Sequence, residues 1–289
     1  MTASNGTNGD SSKFTEDPLY QKTMSLVRPN WLKEKMEEGG LGFSFGMSMT
    51  FSPDVALLAK VAGYTAVLIN LEHCRAGIET ACDVACACLN IGISPICVIP
   101  SLQSDWISRL LDNGVQGIIV PRTGTAAMAK ELVKFSKFRP LGERPLTFTP
   151  QMQYQMPHAE YAKLAQNNTT LTMPMIETVE GLENCEEIAA VEGVDAIFVG
   201  AWDLADDMGI GGQRDSPLLY EALSKICRAA MKYNKFVGLG GMEPRPDIIS
   251  RLRKEFNCVR YVMAGRDTSV FQSGMAAQVK AIKEIEAST

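Results

Sequence analysis

Short apolar runs recur along the chain and alternate with longer stretches that have a helical period. We locate eight runs, at residues 43–48, 66–70, 94–99, 117–120, 171–176, 195–200, 236–240 and 259–263. Intervening segments such as PDVALLAKVAG and SDWISRLLDNG carry apolar residues at helical spacing and end in glycine, as helices often do. Near-continuous apolar strands are typical of a parallel sheet that is buried on both faces.

This alternation predicts an α/β fold, a (β/α)8 TIM barrel, because strand–helix repeats favour parallel pairing through right-handed crossovers. A doubly wound open sheet is the alternative. The count of eight runs and the lack of a GxGxxG turn after the first of them favour the barrel. We expect a single barrel domain over residues 41–289. A flexible N-terminal leader and lead-in segment would precede it over residues 1–40, whose first half is rich in Gly, Ser, Thr and Asn.

Composition excludes several classes of function. The chain has 289 residues, 46% of them hydrophobic, and a net charge of -5. Lysine and arginine do not cluster into the basic stripe that nucleic acid requires. No run approaches the roughly 18 apolar residues of a membrane-spanning helix, and the N-terminus lacks the apolar core of a signal peptide. We therefore expect a cytoplasmic protein that acts on a small molecule, without nucleic-acid or membrane partners.

The eight cysteines do not predict a metal centre. Cys82 and Cys86 are four residues apart and would share a helix face, but no nearby histidine or second CxxC completes a tetrahedral set. Their segment, ETACDVACACLNIG, is rich in alanine and amphipathic. We expect these cysteines to pack as small hydrophobic side chains.

Polar side chains follow most of the predicted strands, which is where barrel enzymes build their active sites. Because the carboxyl ends of parallel strands meet at one face, these side chains are expected to converge on one mouth. In strand order the candidates are Asn70, Glu72 and His73, then Ser101, Arg122, Glu177, Asp203, Gly240 and Gly241, and finally Arg266 and Asp267.

Glu177 and Asp203 are candidate ligands for a divalent metal ion. Each follows a short apolar run, and hard dications prefer oxygen ligands. Two capping roles are the alternatives. Glu177 could lie in the first turn of a helix, where acidic side chains are favoured, and Asp203 could cap the N-terminus of the helix that follows it.

Three long motifs resemble the HpcH/HpaI aldolase/citrate lyase family, in its metal-dependent 2-keto acid aldolase branch. They are AGYTAVLINLEHC, LLDNGVQGIIVPRTGTAAMAKELV and MPMIETVEGLENCEEIAAVEGVDAIFVGAWDLADDMG, and the similarity covers nearly the whole chain after the leader. The resemblance extends to members that couple decarboxylation to a cyclising carbon–carbon bond formation.

The resemblance implies a site for Mg²⁺, or for Mn²⁺ or Co²⁺, with Glu177 and Asp203 as its two protein ligands. The metal would act as a Lewis acid on a chelated 2-keto acid. It also implies that His73 is an acid/base residue and that Asp112 orients its ring. It further implies a homo-oligomer, a trimer or hexamer, in which a terminal helix packs on a neighbouring copy.

The chain departs from the family pattern at four positions. Asn70 replaces an aspartate, Ile99 an arginine and Met175 a glutamine, and the family's PADL reads AWDL with Trp202. Isoleucine cannot supply the charge or the five donors of arginine, and such a stabiliser contributes roughly 3–4 kcal/mol to a transition state. We expect a more apolar pocket and poor activity as an ordinary pyruvate aldolase. Arg122 either takes over the role of the arginine missing at position 99 or is tied to a neighbouring carboxylate.

The longest connection, residues 139–170, is interpreted as a lid or as a subunit contact. Met152, Tyr154 and Met156 would then line an adaptable apolar entrance.

Three functional hypotheses follow. The first is a metal-assisted carbon–carbon lyase or synthase that acts on a 2-keto acid or a related carboxylate. The second is a barrel repurposed as a metal-independent cyclase in natural-product biosynthesis, which the loss of the arginine and glutamine favours. The third is a non-catalytic subunit, against which the presence of Glu177, Asp203 and His73 argues.

Overall fold

Eight parallel strands pair in chain order and close into a barrel in the computed structural model, which describes residues 16–287. The strands are β1 Gly42–Met47, β2 Ala66–Asn70, β3 Ser94–Val98, β4 Gly117–Val120, β5 Leu171–Ile176, β6 Ala196–Gly200, β7 Phe236–Gly240 and β8 Val259–Arg266. This confirms the predicted (β/α)8 TIM barrel. β1 begins one residue before the predicted run, and β8 continues three residues beyond it.

Helices lie around the barrel and at its amino end. They are α1 Pro18–Leu26, α2 Trp31–Glu37, α3 Pro53–Val61, α4 Ile78–Ile91, α5 Ser104–Asp112, α6 Ala126–Ser136, α7 Ala159–Thr169, α8 Val179–Glu183, α9 Cys185–Ala189, α10 Ala201–Asp207, α11 Pro217–Lys232, α12 Pro246–Glu255 and α13 Asp267–Ala287. None of these helices is both long enough and apolar enough to cross a membrane.

The barrel interior and the layer between strands and helices form separate apolar cores. Leu68, Val98, Met173 and Phe198 point inward, and their neighbours in sequence pack against the helices. This follows from the alternation of side chains along a strand. Both faces of the sheet are therefore dry, and the carboxyl ends of the strands are left to form a site.

The segment before β1 closes the amino end of the barrel. Leu32 and Met36 on α2 are fully buried against the interior side chains. Asn30 caps α2, and its Nδ2 donates to the carbonyl oxygens of Gln116 and Thr169. Within residues 16–40, α2 thus packs on the end of the barrel and α1 packs on α7. The expected flexible leader at residues 1–15 lies outside the described residues.

A buried ion pair holds the amino ends of β5 and β6 to α6. Lys137 Nζ lies 2.9 Å from Asp195 Oδ2 and also donates to the carbonyl oxygen of Asn167. Burial lowers the pKa of Lys137 to about 8, against the attraction of Asp195. Lys137 also lowers the pKa of Asp195, although burial alone would raise it. The pair is structural and lies at the end of the barrel opposite the strand carboxyl ends.

The long connection at residues 139–170 also lies at this amino end. It joins the end of α6 to the start of β5, and Gln151 Nε2 donates to the carbonyl oxygens of Leu111 and Val115. Its helix α7 packs against α1. The interpretation as a lid is wrong, because a connection from a helix end to a strand start lies away from the mouth.

All eight cysteines are free thiols. Cys88 and Cys97 are completely buried, and burial raises the pKa of the Cys88 thiol to about 12. Cys82 and Cys86 are half-buried on one face of α4, and no third ligand joins them among residues 16–287. The burial of Cys88 in the core agrees with the packing expected for the cysteines of α4.

Candidate active site

A pocket of about 120 Å³ opens at the carboxyl ends of the strands. Apolar side chains form its floor and polar side chains its rim. The floor is built from Leu68, Val98, Met175, Phe198 and Met263, and the rim includes Asn70, Glu72, His73, Glu177, Trp202, Asp203 and Arg266. Residues from seven of the eight strand ends, all but that of β4, therefore meet here.

Glu177 follows β5 directly and is almost completely buried, with 5% of its surface exposed. Its Oε1 accepts a hydrogen bond from the backbone N–H of Arg122 at 2.8 Å. Burial raises the pKa of Glu177 to about 7, and the nearby Asp203 and Glu72 raise it further, whereas the bond from Arg122 lowers it. The surroundings of Glu177 thus disfavour the negative charge of its carboxylate.

The absence of a side chain at Gly200, the last residue of β6, gives Glu177 its position. A Cβ built on Gly200 would lie 2.5 Å from Glu177 Oε2 and 2.9 Å from Glu177 Cβ. The backbone of Gly200 has φ -82°, a conformation open to any residue. Space for the carboxylate, and not backbone freedom, is therefore what glycine supplies here.

Asp203 lies in the first turn of α10, which begins immediately after β6. Its carboxylate faces the same pocket as Glu177. Neither residue has the capping role considered as an alternative. Thr178 caps α8 by accepting from the N–H of Gly181, and Gly200 is the N-cap residue of α10, which has no side-chain cap.

The two carboxylates have the donor chemistry that a hard divalent cation requires. Both offer oxygen and both face one pocket, and the hydrogen bond that Glu177 accepts comes from a backbone N–H. Within residues 16–287, no group of three or more Asp, Glu, His or Cys side chains forms a closed metal site. The residues therefore fit a metal with open positions and do not fit a structural metal enclosed by protein.

Asn70 shapes the turn that carries Glu72 and His73. Its Oδ1 accepts the backbone N–H groups of Glu72 and His73, both at 3.0 Å. An aspartate could accept the same two bonds, so the exchange to asparagine preserves the turn and removes one negative charge from the pocket.

Glu72 links two of the predicted catalytic residues. Its carboxylate binds the guanidinium of Arg122, and its Oε2 lies 3.4 Å from Nε2 of His73. Arg122 has φ 48°, in the left-handed region, and in this conformation its backbone N–H points towards Glu177. Of the two roles considered for Arg122, the structure shows the one in which it is tied to a neighbouring carboxylate.

Two predicted site residues lie elsewhere. Ile99 is completely buried between the barrel and the helices, while Val98 lines the pocket. The prediction that Ile99 lines the pocket is wrong because Val98, the register partner of Asn70, takes the inward position and the next residue faces outward.

Asp112 ends α5, at the amino end of the barrel, and its Oδ1 accepts from Nη2 of Arg144 at 2.7 Å. The predicted pairing of Asp112 with His73 is wrong within one chain. A helix that leaves the carboxyl end of β3 ends near the opposite face, and there Arg144 is buried and Asp112 is its counter-ion.

Met175 and Trp202 do line the pocket. Met175 belongs to the floor beside Phe198, its register partner on β6. Trp202 is 47% exposed at the rim, and the guanidinium of Arg214 lies 3.8 Å from its ring centroid. This stacking fixes the indole as a flat wall next to Asp203.

Two residues named by strand position alone have defined roles in the structure. Arg266 lines the pocket from the end of β8. Asp267 is completely buried, and its Oδ2 accepts the backbone N–H groups of Ser48, Met49 and Thr50 at 3.0, 2.8 and 2.7 Å. Their position after a strand was the only signal in the sequence, and it did not reveal these partners.

Comparisons with known proteins agree with this architecture. A family model described as HpcH/HpaI aldolase/citrate lyase matches residues 47–253. A 4-hydroxy-4-methyl-2-oxoglutarate aldolase of Hapsidospora irregularis is 31% identical over 264 residues, which cover 89% of this chain and 96% of that protein.

Two solved structures extend the comparison. An HpcH/HpaI aldolase from Desulfitobacterium hafniense superposes with a TM-score of 0.82 at 27% identity, covering 88% of this chain and 97% of the other. Macrophomate synthase, at 24% identity and a TM-score of 0.73, covers 90% of this chain and 92% of its own, and shares the fold.

Proposed function

The chain belongs to the HpcH/HpaI aldolase/citrate lyase family, and from this we propose that it cleaves a 4-hydroxy-2-oxo acid into a 2-keto acid and a second carbonyl compound. The observation that carries the proposal is the buried carboxylate of Glu177, which faces the mouth beside Asp203. Relatives are named as aldolases, which break carbon–carbon bonds.

The proposed cleavage breaks the bond between C3 and C4 of the substrate. The C4 hydroxyl loses its proton to a base, and C4 becomes a carbonyl carbon. The electron pair of the broken bond forms the enolate of the 2-keto acid, which then takes a proton at C3. One proton is removed and one is returned, so no oxidant or reductant is needed.

Glu177 and Asp203 would hold a divalent ion, Mg²⁺ or else Mn²⁺ or Co²⁺, which when bound supplies a Lewis acid for the keto acid. The backbone N–H of Arg122 holds one oxygen of Glu177 and leaves the other free. The apolar floor below limits water in the pocket, which strengthens every charge interaction there.

His73 is the proposed base for the C4 hydroxyl. Its side chain is 62% exposed at the rim, and Nε2 lies 3.4 Å from Oε2 of Glu72. A carboxylate at this distance orients the ring and stabilises the imidazolium after proton transfer. Arg122 also binds Glu72, and the backbone N–H of Arg122 binds Glu177. The carboxylate of Glu72 therefore connects His73 to the turn that positions Glu177.

Paired substitutions test the site. Titration calorimetry with Mg²⁺ and Mn²⁺, and release of 2-keto acid from a panel of 4-hydroxy-2-oxo acids, would be measured for Glu177→Gln and Asp203→Asn. Glu180→Gln and Asp206→Asn are matched controls, since both remove exposed carboxylates nearby. We expect loss of metal binding and at least a 100-fold fall in cleavage in the first pair only. Full activity of Glu177→Gln would instead favour the metal-independent cyclase.

We also propose that the protein is a homo-oligomer, a trimer or hexamer, in which α13 packs on a second copy. Met275, Val279 and Ile282 form an apolar stripe along α13 and are 64%, 54% and 66% exposed. A groove on the outer side of β1 and β8 is also open. It is lined by Leu41, Phe43, Pro246, Ile249, Val262 and Ala264, together with the polar residues Glu243, Ser250 and Arg253. An apolar helix face and a largely apolar groove of this kind are typical of an exchanged contact between copies.

Light scattering after size-exclusion chromatography tests the assembly. The wild type is expected to elute as a trimer or hexamer, and Val279→Glu as a smaller species. Lys280→Glu changes the neighbouring exposed residue and should leave the mass unchanged. A wild type that is monomeric at high concentration would contradict the proposal.

A further inference from the structure

We propose that Arg266 binds the anionic group at the far end of the substrate, and that this arginine makes the site prefer a 4-hydroxy-2-oxo diacid, with its far carboxylate next to C4, over the corresponding monoacid. This inference rests on the proposed aldolase function and identifies the group at the far end of the substrate.

Arg266 has a distinct place in the pocket. Among the described residues that line it, Arg266 is the one arginine or lysine. It ends β8, which is two strands from β6 and three from β5 in the closed barrel. At about 4.8 Å between strands, β8 and β6 are roughly 10 Å apart along the sheet. A five-carbon diacid can therefore span from Glu177 and Asp203 to Arg266.

The guanidinium of Arg266 is held less firmly than that of Arg144. Its Nη2 lies 3.4 Å from Oε1 of Glu243, and its side chain is 43% exposed. Charge-assisted bonds are typically 2.7–2.9 Å long, and Arg144 makes such a bond to Asp112 at 2.7 Å. A guanidinium has five N–H donors, so Arg266 has capacity to bind a carboxylate in two-pronged geometry.

Two neighbours position the Arg266 side chain. Glu243 follows β7, and its second oxygen, Oε2, is buried without a hydrogen-bond partner. Gly46 is the register partner of Arg266 on β1, and a Cβ there would lie 3.2 Å from Cβ of Arg266 and 3.5 Å from Sδ of Met263. Glycine at position 46 thus leaves space for the stem of the arginine at the pocket wall.

Charge determines which end of the substrate lies near Arg266. Glu177 and Asp203 place negative charge at the ends of β5 and β6, while the charge of Glu72 after β2 is balanced by Arg122. Without a bound cation, the ends of β5 and β6 repel an anion, and with one they accept the 2-keto acid end. The second carboxylate is then attracted to the end of β8, where Arg266 carries positive charge.

The test compares two substrates that differ only at the far group. These are 4-hydroxy-4-methyl-2-oxoglutarate, with a carboxylate on C4, and 4-hydroxy-4-methyl-2-oxopentanoate, with a methyl group there. The ratio of kcat/KM for the diacid to that for the monoacid would be measured on the same preparations of wild type, Arg266→Met and Arg266→Lys. Because both substrates meet the same protein, partial misfolding cancels in the ratio.

We expect the ratio to fall at least 30-fold in Arg266→Met, mainly through KM for the diacid, and to fall less in Arg266→Lys. Arg251→Met removes an exposed arginine of α12 and should leave the ratio unchanged. Equal loss on both substrates in Arg266→Met would overturn the inference and leave the aldolase function intact. If the metal-loaded wild type cleaves neither these substrates nor any other 4-hydroxy-2-oxo acid, both proposals are overturned.

Discussion

Alanine at position 200 should damage the metal site without changing any proposed ligand. The new Cβ would lie 2.5 Å from Oε2 and 2.9 Å from Cβ of Glu177, and 3.2 Å from Sδ of Met175. The Oε2 contact can be relieved by rotating the carboxylate. The Cβ contact requires a shift of the backbone of β5 or β6, because a Cβ has no rotamer.

The expected free-energy cost follows from these contacts. An extra methyl group in a packed site costs about 1–3 kcal/mol. Displacement of Glu177 also strains its 2.8 Å bond from the N–H of Arg122, and a hydrogen bond to a charged group contributes about 1.5–3 kcal/mol. Since φ of Gly200 is -82°, alanine adds no backbone strain to this sum. We therefore expect a loss of about 2.5–6 kcal/mol in unfolding free energy, and a misplacement near 1 Å costs about 100-fold in rate.

Calorimetric titration with Mn²⁺, cleavage kinetics and urea unfolding would be measured on Gly200→Ala and on Gly77→Ala. A Cβ on Gly77 meets only the carboxylate of the exposed Glu79, at 3.2 Å, so this control should behave as the wild type. We expect Gly200→Ala to lose at least tenfold in metal affinity. Wild-type affinity and rate in this variant would refute the idea that space at Gly200 sets the position of Glu177.

Three further predictions concern the residues that support the site. Asp267→Ala removes a buried carboxylate that accepts three backbone N–H groups and should lower the unfolding free energy by roughly 3 kcal/mol or more. In urea unfolding, a loss below 1 kcal/mol would contradict this. Lys137 has its pKa lowered to about 8 when folded, against 10.5 when unfolded, so between these pH values the unfolded state binds more protons and stability rises with pH. That rise is at most about 1.4 kcal/mol per pH unit, and it should be missing in Lys137→Met when the free energy of unfolding is measured across pH 7–10.5. A slope in Lys137→Met equal to that of the wild type would contradict this prediction. Asp112→Asn should destabilise the fold by about 3–5 kcal/mol, because it leaves Arg144 buried without its counter-ion, while the pH profile of cleavage stays that of the wild type; a shifted profile would restore the link to His73.

The sequence was sufficient for the fold because most strands are nearly continuous apolar runs, as expected where both faces of a barrel strand are buried. The sequence also predicted correctly that Glu177, Asp203, His73 and Trp202 lie at one mouth, because the position of a residue after a strand determines the end of the barrel at which it lies. The errors concern side-chain direction. Ile99 faces the helices because its neighbour Val98 takes the inward position at the strand end.

The remaining error concerned a partner distant in sequence. The LLDNG motif places Asp112 at a helix end but does not show that Arg144, 32 residues later, is its counter-ion. Nothing local in the sequence identifies such a contact, because it depends on how the connection after α6 folds back on the barrel. Arg122 was open to two roles for the same reason, until the position of Glu72 was known.

The carboxylate of Asp267 bears on the order in which the molecule is completed during synthesis. It lies 217 to 219 residues after the three N–H groups that it binds, and it follows every strand of the barrel. β1 and β8 already pair irregularly, with a register shift between Ser44 and Phe45. A nascent chain that ends before residue 267 would possess all eight strands but would lack the group that fixes the loop at residues 48–50. The mouth therefore takes its final shape only when the last helix has begun to leave the ribosome.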